Sequence, residues 1–243
     1  MYGFGLEKPP LNVLLVIPAR GGSKGILRKN VQRVEGRPLI SFAIENALAA
    51  SMVDRVIVST EDAEIAAAAT ACGAEVPFVR PAELSHDHVS LIPVIAHAAQ
   101  AIDDLNWHPD IVVSLQPTAP LLSRESIDAG VQMIVTTGCD SVASVRKVFH
   151  NHPYRVQQMD NNGRLQPLFP QGEQYLQRQD LPVFYCFSGG LYVRKRRLLA
   201  EWSGEGFCLG EDHRGLEVDE KESLNIDSPL DLELFRLLIQ RRG

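Results

Sequence analysis

Twelve residues at the exit of an apolar run hold the chemistry that stands out first. Val13-Leu14-Leu15-Val16-Ile17 breaks at Pro18 into Ala19-Arg20-Gly21-Gly22-Ser23-Lys24-Gly25-Ile26-Leu27-Arg28-Lys29-Asn30. Glycine tolerates positive φ and lets main-chain N–H groups close on an anion. Arg20, Lys24, Arg28 and Lys29 neutralise a polyanion, and Ser23 and Asn30 add hydrogen-bonding groups. A nucleoside triphosphate suits such a loop; a solvated basic turn is the competing reading. The spacing departs from G-x-x-x-x-G-K-[ST], which argues against a standard P-loop ATPase.

Further strings follow in order: Lys29-Asn30, Gly36-Arg37-Pro38-Leu39-Ile40, Val58-Ser59-Thr60-Glu61-Asp62, Val76-Pro77-Phe78-Val79-Arg80-Pro81-Ala82-Glu83-Leu84, Leu115-Gln116-Pro117-Thr118-Ala119-Pro120-Leu121 and Asp140-Ser141-Val142-Ala143-Ser144-Val145. With the first loop, this series resembles the N-acylneuraminate (CMP-sialic acid) synthetase family of cytidylyltransferases, from about residue 12 to about residue 235. The resemblance implies a reaction in which a hydroxyl of an acidic ulosonic sugar attacks the α-phosphate of CTP and releases pyrophosphate, with Mg²⁺ stabilising the developing charge. It assigns Arg20, Gly21, Gly22, Ser23, Lys24, Lys29 and Asn30 to the nucleotide, and Arg80 and Gln116 to the base and ribose side. Arg20, Lys29 and Asp227 are the expected catalytic residues. Gln116, Arg155, Arg178 and Ser188 are expected at the sugar, where a guanidinium grips a carboxylate with two parallel hydrogen bonds. A surface Arg beside Pro81 and a strand-end amide are the plainer readings of Arg80 and Gln116.

Two departures from the family stand out. Where relatives carry Asp-Ile-Asp as Mg²⁺ ligands, this chain has Asn225-Ile226-Asp227. In an extended segment residues 225 and 227 still face one side, but the Asn225 amide oxygen is a weaker ligand for a hard dication than a carboxylate. Asp227 is therefore the expected principal metal ligand and Asn225 its neighbour. The segment Phe187-Ser188-Gly189-Gly190 replaces an Asn-Gly seen in relatives, which points away from N-acetylneuraminate itself as the sugar. A related enzyme for a Kdo-like acid or another nucleotide, and a nucleotide-binding protein without turnover, are the alternatives.

Composition bounds the remaining choices. The 243 residues carry a net charge of −6, which gives no general affinity for nucleic acid or membranes; the first loop is a local exception. Residues 1–10 lack a basic start followed by an apolar run, and no apolar stretch approaches the roughly 18 residues that span a bilayer. Cys72, Cys139, Cys186 and Cys208 form no C-x-x-C pair and read as reduced thiols, so a cytoplasmic protein is expected. His86, His88 and His97 show no zinc-site spacing, and no Ser/His/Asp nucleophile motif occurs.

Alternating elements must position these residues. The apolar runs 13–17, 55–59, 111–115 and 141–148 read as strands, with a further one possible at 75–78. Helical patterns occupy 38–50, 61–72, 91–102 and 123–137, with Gly73 as a stop and Ser123 as a cap. The expected architecture is one α/β domain over residues 1–243, a Rossmann-like, mostly parallel sheet with helices on both faces, of the nucleotide-diphospho-sugar transferase type that the resemblance implies. Ligands collect at the carboxyl ends of such strands, where residues 20–30, 59–60 and 116–118 fall. Residues 150–187 break the pattern, with turn chemistry at Asp160-Asn161-Asn162-Gly163; the resemblance implies a sugar-site and dimerisation extension, hence a homodimer. Gly189 to Val193 returns to the sheet and residues 230–239 close the chain as a helix.

Overall fold

The computed structural model describes residues 10–23 and 25–241. The expectations for the first nine residues and for Lys24 lie outside them. Among the described residues, ten strands and five α-helices follow the chain: β1 (Val13–Pro18), the short pair β2 (Arg33–Val34) and β3 (Arg37–Pro38), α1 (Leu39–Ala49), β4 (Arg55–Ser59), α2 (Ala63–Ala71), α3 (Leu91–Asp103), β5 (Ile111–Leu115), α4 (Arg124–Thr137), β6 (Ser141–Lys147), the pair β7 (Gln157–Met159) and β8 (Leu165–Pro167), β9 (Tyr185–Lys195), β10 (His213–Glu217) and α5 (Pro229–Gln240). Six strands form the central sheet in the order β10-β6-β9-β5-β1-β4. β1 runs parallel to β4 and β5, and β6 parallel to β10; β9 alone is antiparallel to its neighbours β5 and β6.

The strands are continuous apolar runs because both faces are covered. Val13, Leu15 and Ile17 point to one face, against Ile40 and Ile44 of α1, Ile65 of α2 and Ile127, Val131 and Ile134 of α4. Leu14 and Val16 point to the other, against Ile92, Ile95, Ala99 and Ile102 of α3. Each such Val, Leu or Ile side chain, fully withdrawn from water, contributes about 1.5–3 kcal/mol. A third cluster docks α5: Leu232 and Phe235 pack on Val34, Leu39 and Ile226, and Phe235 meets Phe42 edge-on with ring centroids 5.0 Å apart. Capping fixes where helices start. Asp62 accepts from the N–H groups of Glu64 and Ile65, Ser123 from Ser126, and Ser228 and Asp231 form a reciprocal capping box at α5.

Residues 75–78 contribute a single bridge, Ile57 to Glu75, instead of a full strand. The excursion after β6 is closed at its root by the Val148 N–H donating to the Phe184 carbonyl at 2.9 Å. β7 and β8 form a small hairpin there, whose turn is held by Asp160 Oδ1 accepting from the N–H groups of Asn162 and Arg164 at 2.8 and 2.9 Å. His152, buried, anchors the excursion beneath Tyr154 and Phe184. No helix among the described residues is long and apolar enough to cross a membrane.

Candidate active site

The carboxyl ends of β1, β4 and β5 open into one cleft of about 440 Å³, lined by Arg20, Gly22, Ser23, Lys29, Asn30, Arg80, Gln116 and Asp227 among others. Eight of the residues singled out by sequence therefore meet in one place. Gly21 backs this cleft rather than lining it.

Acidic residues after β4 shape the loop. The Gly21 N–H donates to Glu61 Oε1 at 2.7 Å, and a Cβ on Gly21 would press on the Asp62 carboxylate. Arg28, in the left-handed region at φ 54°, turns its guanidinium away from the cleft to Asp62, at 2.5 and 3.1 Å, and to Glu64. The Arg28 hydrogen bond holds the Asp62 carboxyl below its ordinary pKa. One of the four loop cations is thus a strap that ties the loop to the start of α2. Glu61, Asp62 and Glu64 had no assigned role in the sequence reading; an acidic run directly after a buried strand, opposite a basic loop, is the signal that could have found them.

The cleft walls are polar and partly unsatisfied. Asn30 is buried, its Nδ2 donating to the Arg20 carbonyl at 3.0 Å, while its Oδ1 is buried without a partner. Gln116 Nε2 is likewise buried and unpartnered. An amide that can donate and accept, left unpaired at a cleft wall, is suited to a ligand with both kinds of edge. Arg80 is buried and braced on Ser59: Nε donates to the hydroxyl at 3.2 Å and Nη2 to the carbonyl. Burial pulls its pKa below the ordinary value, and Glu61 opposes that shift. Among the described residues no carboxylate pairs with it directly, so its charge can serve an anionic or carbonyl-rich ligand.

Two carboxylates border the cleft. Asp87 lies 2.6 Å from Arg20 Nη1, on a turn where the rings of His86 and His88 stack at 5.7 Å. Asp227 is paired with Lys29 at 3.1 Å, and the same ammonium donates to the Ile226 carbonyl at 2.5 Å. Asp87 was not anticipated; its only sequence signal was an acid among surface histidines.

The remaining predicted residues stand elsewhere. Ser188 is buried behind the cleft, its hydroxyl 2.5 Å from that of Ser144. Asn225 turns its Nδ2 to the Ser188 carbonyl, and its Oδ1 lies 3.5 Å from Thr118 Oγ1. Arg155 is exposed on the excursion and donates to the carbonyls of Tyr175 and Leu176 at 2.6 and 3.2 Å. Arg178 borders a separate depression of about 410 Å³ with Lys147, Phe149, His152 and Val183. Within one chain neither arginine reaches the cleft.

No group of three or more His, Cys, Asp or Glu among the described residues converges as a metal site. The donor set still fits Mg²⁺, which binds through one or two carboxylates and completes its shell with substrate phosphates and water. Asp227, with 74% of its side chain exposed at the cleft, is such a carboxylate.

The profile of the cytidylyltransferase family matches residues 14–213. Pseudaminic acid cytidylyltransferase of Campylobacter jejuni is 31% identical over 225 residues, spanning 93% of this chain and 95% of that one. CMP-N,N'-diacetyllegionaminic acid synthase of Legionella pneumophila is 31% identical over 232 residues, 95% of this chain and 97% of its own. The structure of CMP:2-keto-3-deoxy-manno-octonic acid synthetase complexed with CTP shares the fold at a TM-score of 0.71 and 20% identity, covering 96% of this chain and 100% of that one.

Proposed function

This chain belongs to the cytidylyltransferase family, and on that footing we propose that it joins the cytidylyl group of CTP to a hydroxyl of a nonulosonic acid. The hydroxyl oxygen bonds to the α-phosphorus, the bond from that phosphorus to the oxygen bridging the β-phosphate breaks, and pyrophosphate leaves while the hydroxyl proton is lost. The observation that carries this reading is the gathering of Arg20, Ser23, Lys29, Asn30, Arg80, Gln116 and Asp227 in one cleft at the strand ends. Main-chain amides of the loop, with Arg20, Lys24 and Lys29, orient the triphosphate and offset its charge. Arg80 and Gln116 take the cytidine, and Asp227 holds the Mg²⁺. That ion, when bound, draws charge from the transferring phosphoryl group. A cytoplasmic location suits this reading, since a nucleoside triphosphate substrate and four free cysteines both fit that compartment.

The sugar class follows from relatives named for pseudaminic and legionaminic acids that match nearly the full chain. The excursion supports a homodimer: Phe149, Met159, Leu165, Leu176 and Val183 are exposed on it, a concentration of apolar surface suited to a second copy. Arg178 then serves a sugar carboxylate in the partner's cleft, while Arg155 shapes the excursion that carries it. The dimer is checked by sedimentation at micromolar concentration; an active monomer overturns it. The activity is checked by incubating the protein with each nucleoside triphosphate and a panel of pseudaminic, legionaminic, neuraminic and Kdo-type acids. Pyrophosphate and a CMP-sugar are expected with CTP and a nonulosonic acid. CTP binding without pyrophosphate across the panel would overturn the reading.

A further inference from the structure

Asn225 occupies a position that the family pattern gives to an acid, yet it is joined to the fold in a way no ionised acid could be. Its Nδ2 donates to the Ser188 carbonyl. A carbonyl oxygen only accepts, so this contact fixes which end of the amide faces it. The other end, Oδ1, lies 3.5 Å from the Thr118 hydroxyl. Gly189 leaves room for this approach: it sits at φ +79°, and a Cβ built there would stand 3.1 Å from Nδ2, so that the amide would have to give by a few tenths of an ångström.

The surrounding contacts extend the clamp to the cleft. The Ile226 N–H donates to the Thr118 carbonyl at 2.8 Å, and Thr118 follows β5 and lines the cleft. The Ile226 carbonyl in turn accepts from Lys29, whose ammonium also meets Asp227. Ser188 is itself fixed, because its hydroxyl meets Ser144 Oγ, which accepts from the Leu191 N–H at 3.0 Å. A rigid strand thus holds Asn225, and the segment beyond Asn225 presents Asp227 and a carbonyl for Lys29.

We propose that Asn225 is a positioning residue, whose amide donation to β9 holds residues 224–227 and thereby sets Asp227 and Lys29 at the cleft. The assignment of Asp227 and Lys29 to substrate rests on the function proposed above; the clamp itself does not. A metal-ligand role and a clamp role rank substitutions in opposite orders. A ligand improves on becoming an acid, so Asn225→Asp would equal or exceed wild type and Asn225→Ala would fall below both. A clamp worsens on becoming an acid, because a carboxylate set against the Ser188 carbonyl repels it, whereas alanine only removes the contact.

Hydrogen exchange on the full-length protein without ligand reads the clamp directly. The Ile226 amide is expected to lose about tenfold in protection in Asn225→Ala and more in Asn225→Asp, while the β1 amides stay protected in both. In the assay with Mg²⁺, Asn225→Asp should need about tenfold more Mg²⁺ for half-maximal rate, with the sugar KM unchanged. Serine at this position keeps a short donor and should fall between wild type and alanine. A lower Mg²⁺ requirement in Asn225→Asp, or Ile226 protection equal to wild type in both the Ala and Asp variants, would overturn the proposal. If wild type neither binds CTP nor turns over, the functional reading fails, and the exchange ranking still decides the clamp.

Discussion

Replacing Lys29 by methionine separates what this residue does for the fold from what it does for a ligand. Methionine keeps the unbranched stem and removes the ammonium, which in the free protein donates to the Ile226 carbonyl at 2.5 Å and to Asp227 at 3.1 Å. These two contacts differ in weight. Asp227 is 74% exposed, so the ion pair is screened and contributes less than about 1 kcal/mol. The carbonyl contact involves a side chain only 14% exposed and is charge-assisted, which is worth about 1.5–3 kcal/mol. Stability should fall by about 2–3 kcal/mol, or about 5–10 °C in Tm for a chain of this length. Binding the triphosphate costs Lys29 part of these contacts, so the ligand gains only the difference. The CTP Kd should therefore rise by about tenfold, the lower end of what a lost charged contact produces. Urea unfolding followed by circular dichroism, and calorimetric titration with CTP and Mg²⁺, measure the two effects independently. An unchanged unfolding curve refutes the Ile226 contact. Reduced stability with unchanged CTP affinity would make Lys29 a strap alone and remove it from the substrate.

Gly25→Ala should lower CTP affinity at least as strongly as Lys29→Met, because its Cβ would collide with the Asp227 carbonyl; calorimetry showing wild-type affinity would refute the tight packing of that loop on residue 227. Arg178→Lys keeps the charge but loses the two-pronged geometry, so sugar KM should rise more than CTP KM. Equal rises in steady-state kinetics would move Arg178 away from the sugar. Acid should loosen a second region. Asp140 is held at a pKa of about 2 by the N–H groups of Glu211 and Asp212, with Lys195 adding to the effect. A depressed carboxyl pKa stabilises the fold above its ordinary value near 3.8 and loses that contribution as pH falls toward 2. Asp140→Asn should thus be less stable than wild type at pH 7 and converge with it near pH 2; parallel pH profiles of the urea midpoint would contradict this.

Local chemistry made most of the sheet readable. Val13–Pro18 and Ile111–Leu115 appear as uninterrupted apolar runs because each is buried on both faces, and Asp62 and Ser123 announce their helices because capping is a short-range interaction. Strand direction was not readable in this way. Nothing in the residue types of β9 states its direction, and only long-range pairing with β5 and β6 sets it antiparallel. β10, an exposed edge strand with charged residues, offers no apolar run to detect. At the site, residue type and family pattern gathered the loop, Arg80, Gln116 and Asp227, although only the loop and Gln116 directly follow strands. Residue type alone could not separate Arg28 from Lys29; the family pattern gave the nucleotide only Lys29, and in the structure Arg28 straps the loop while Lys29 faces the cleft. Nor could either orient Asn225, whose role depends on a carbonyl 37 residues away in sequence.

The antiparallel course of β9 also bears on how this enzyme could be altered. β6 departs for the excursion and β9 returns from it side by side, and Val148 bonded to Phe184 seals the exit. The excursion is therefore a pendant attached through one closed neck, at the same rim as the cleft. Lengthening or exchanging what hangs from that neck leaves the paired strands, the 20–30 loop and the α3 face in their own contacts, and closing a longer loop costs only about 0.6 kcal/mol per doubling. If the excursion serves the sugar and the subunit contact as proposed above, exchanging it as one cassette grafted at 148 and 184 is expected to transfer acceptor preference and subunit pairing together, with CTP affinity unchanged.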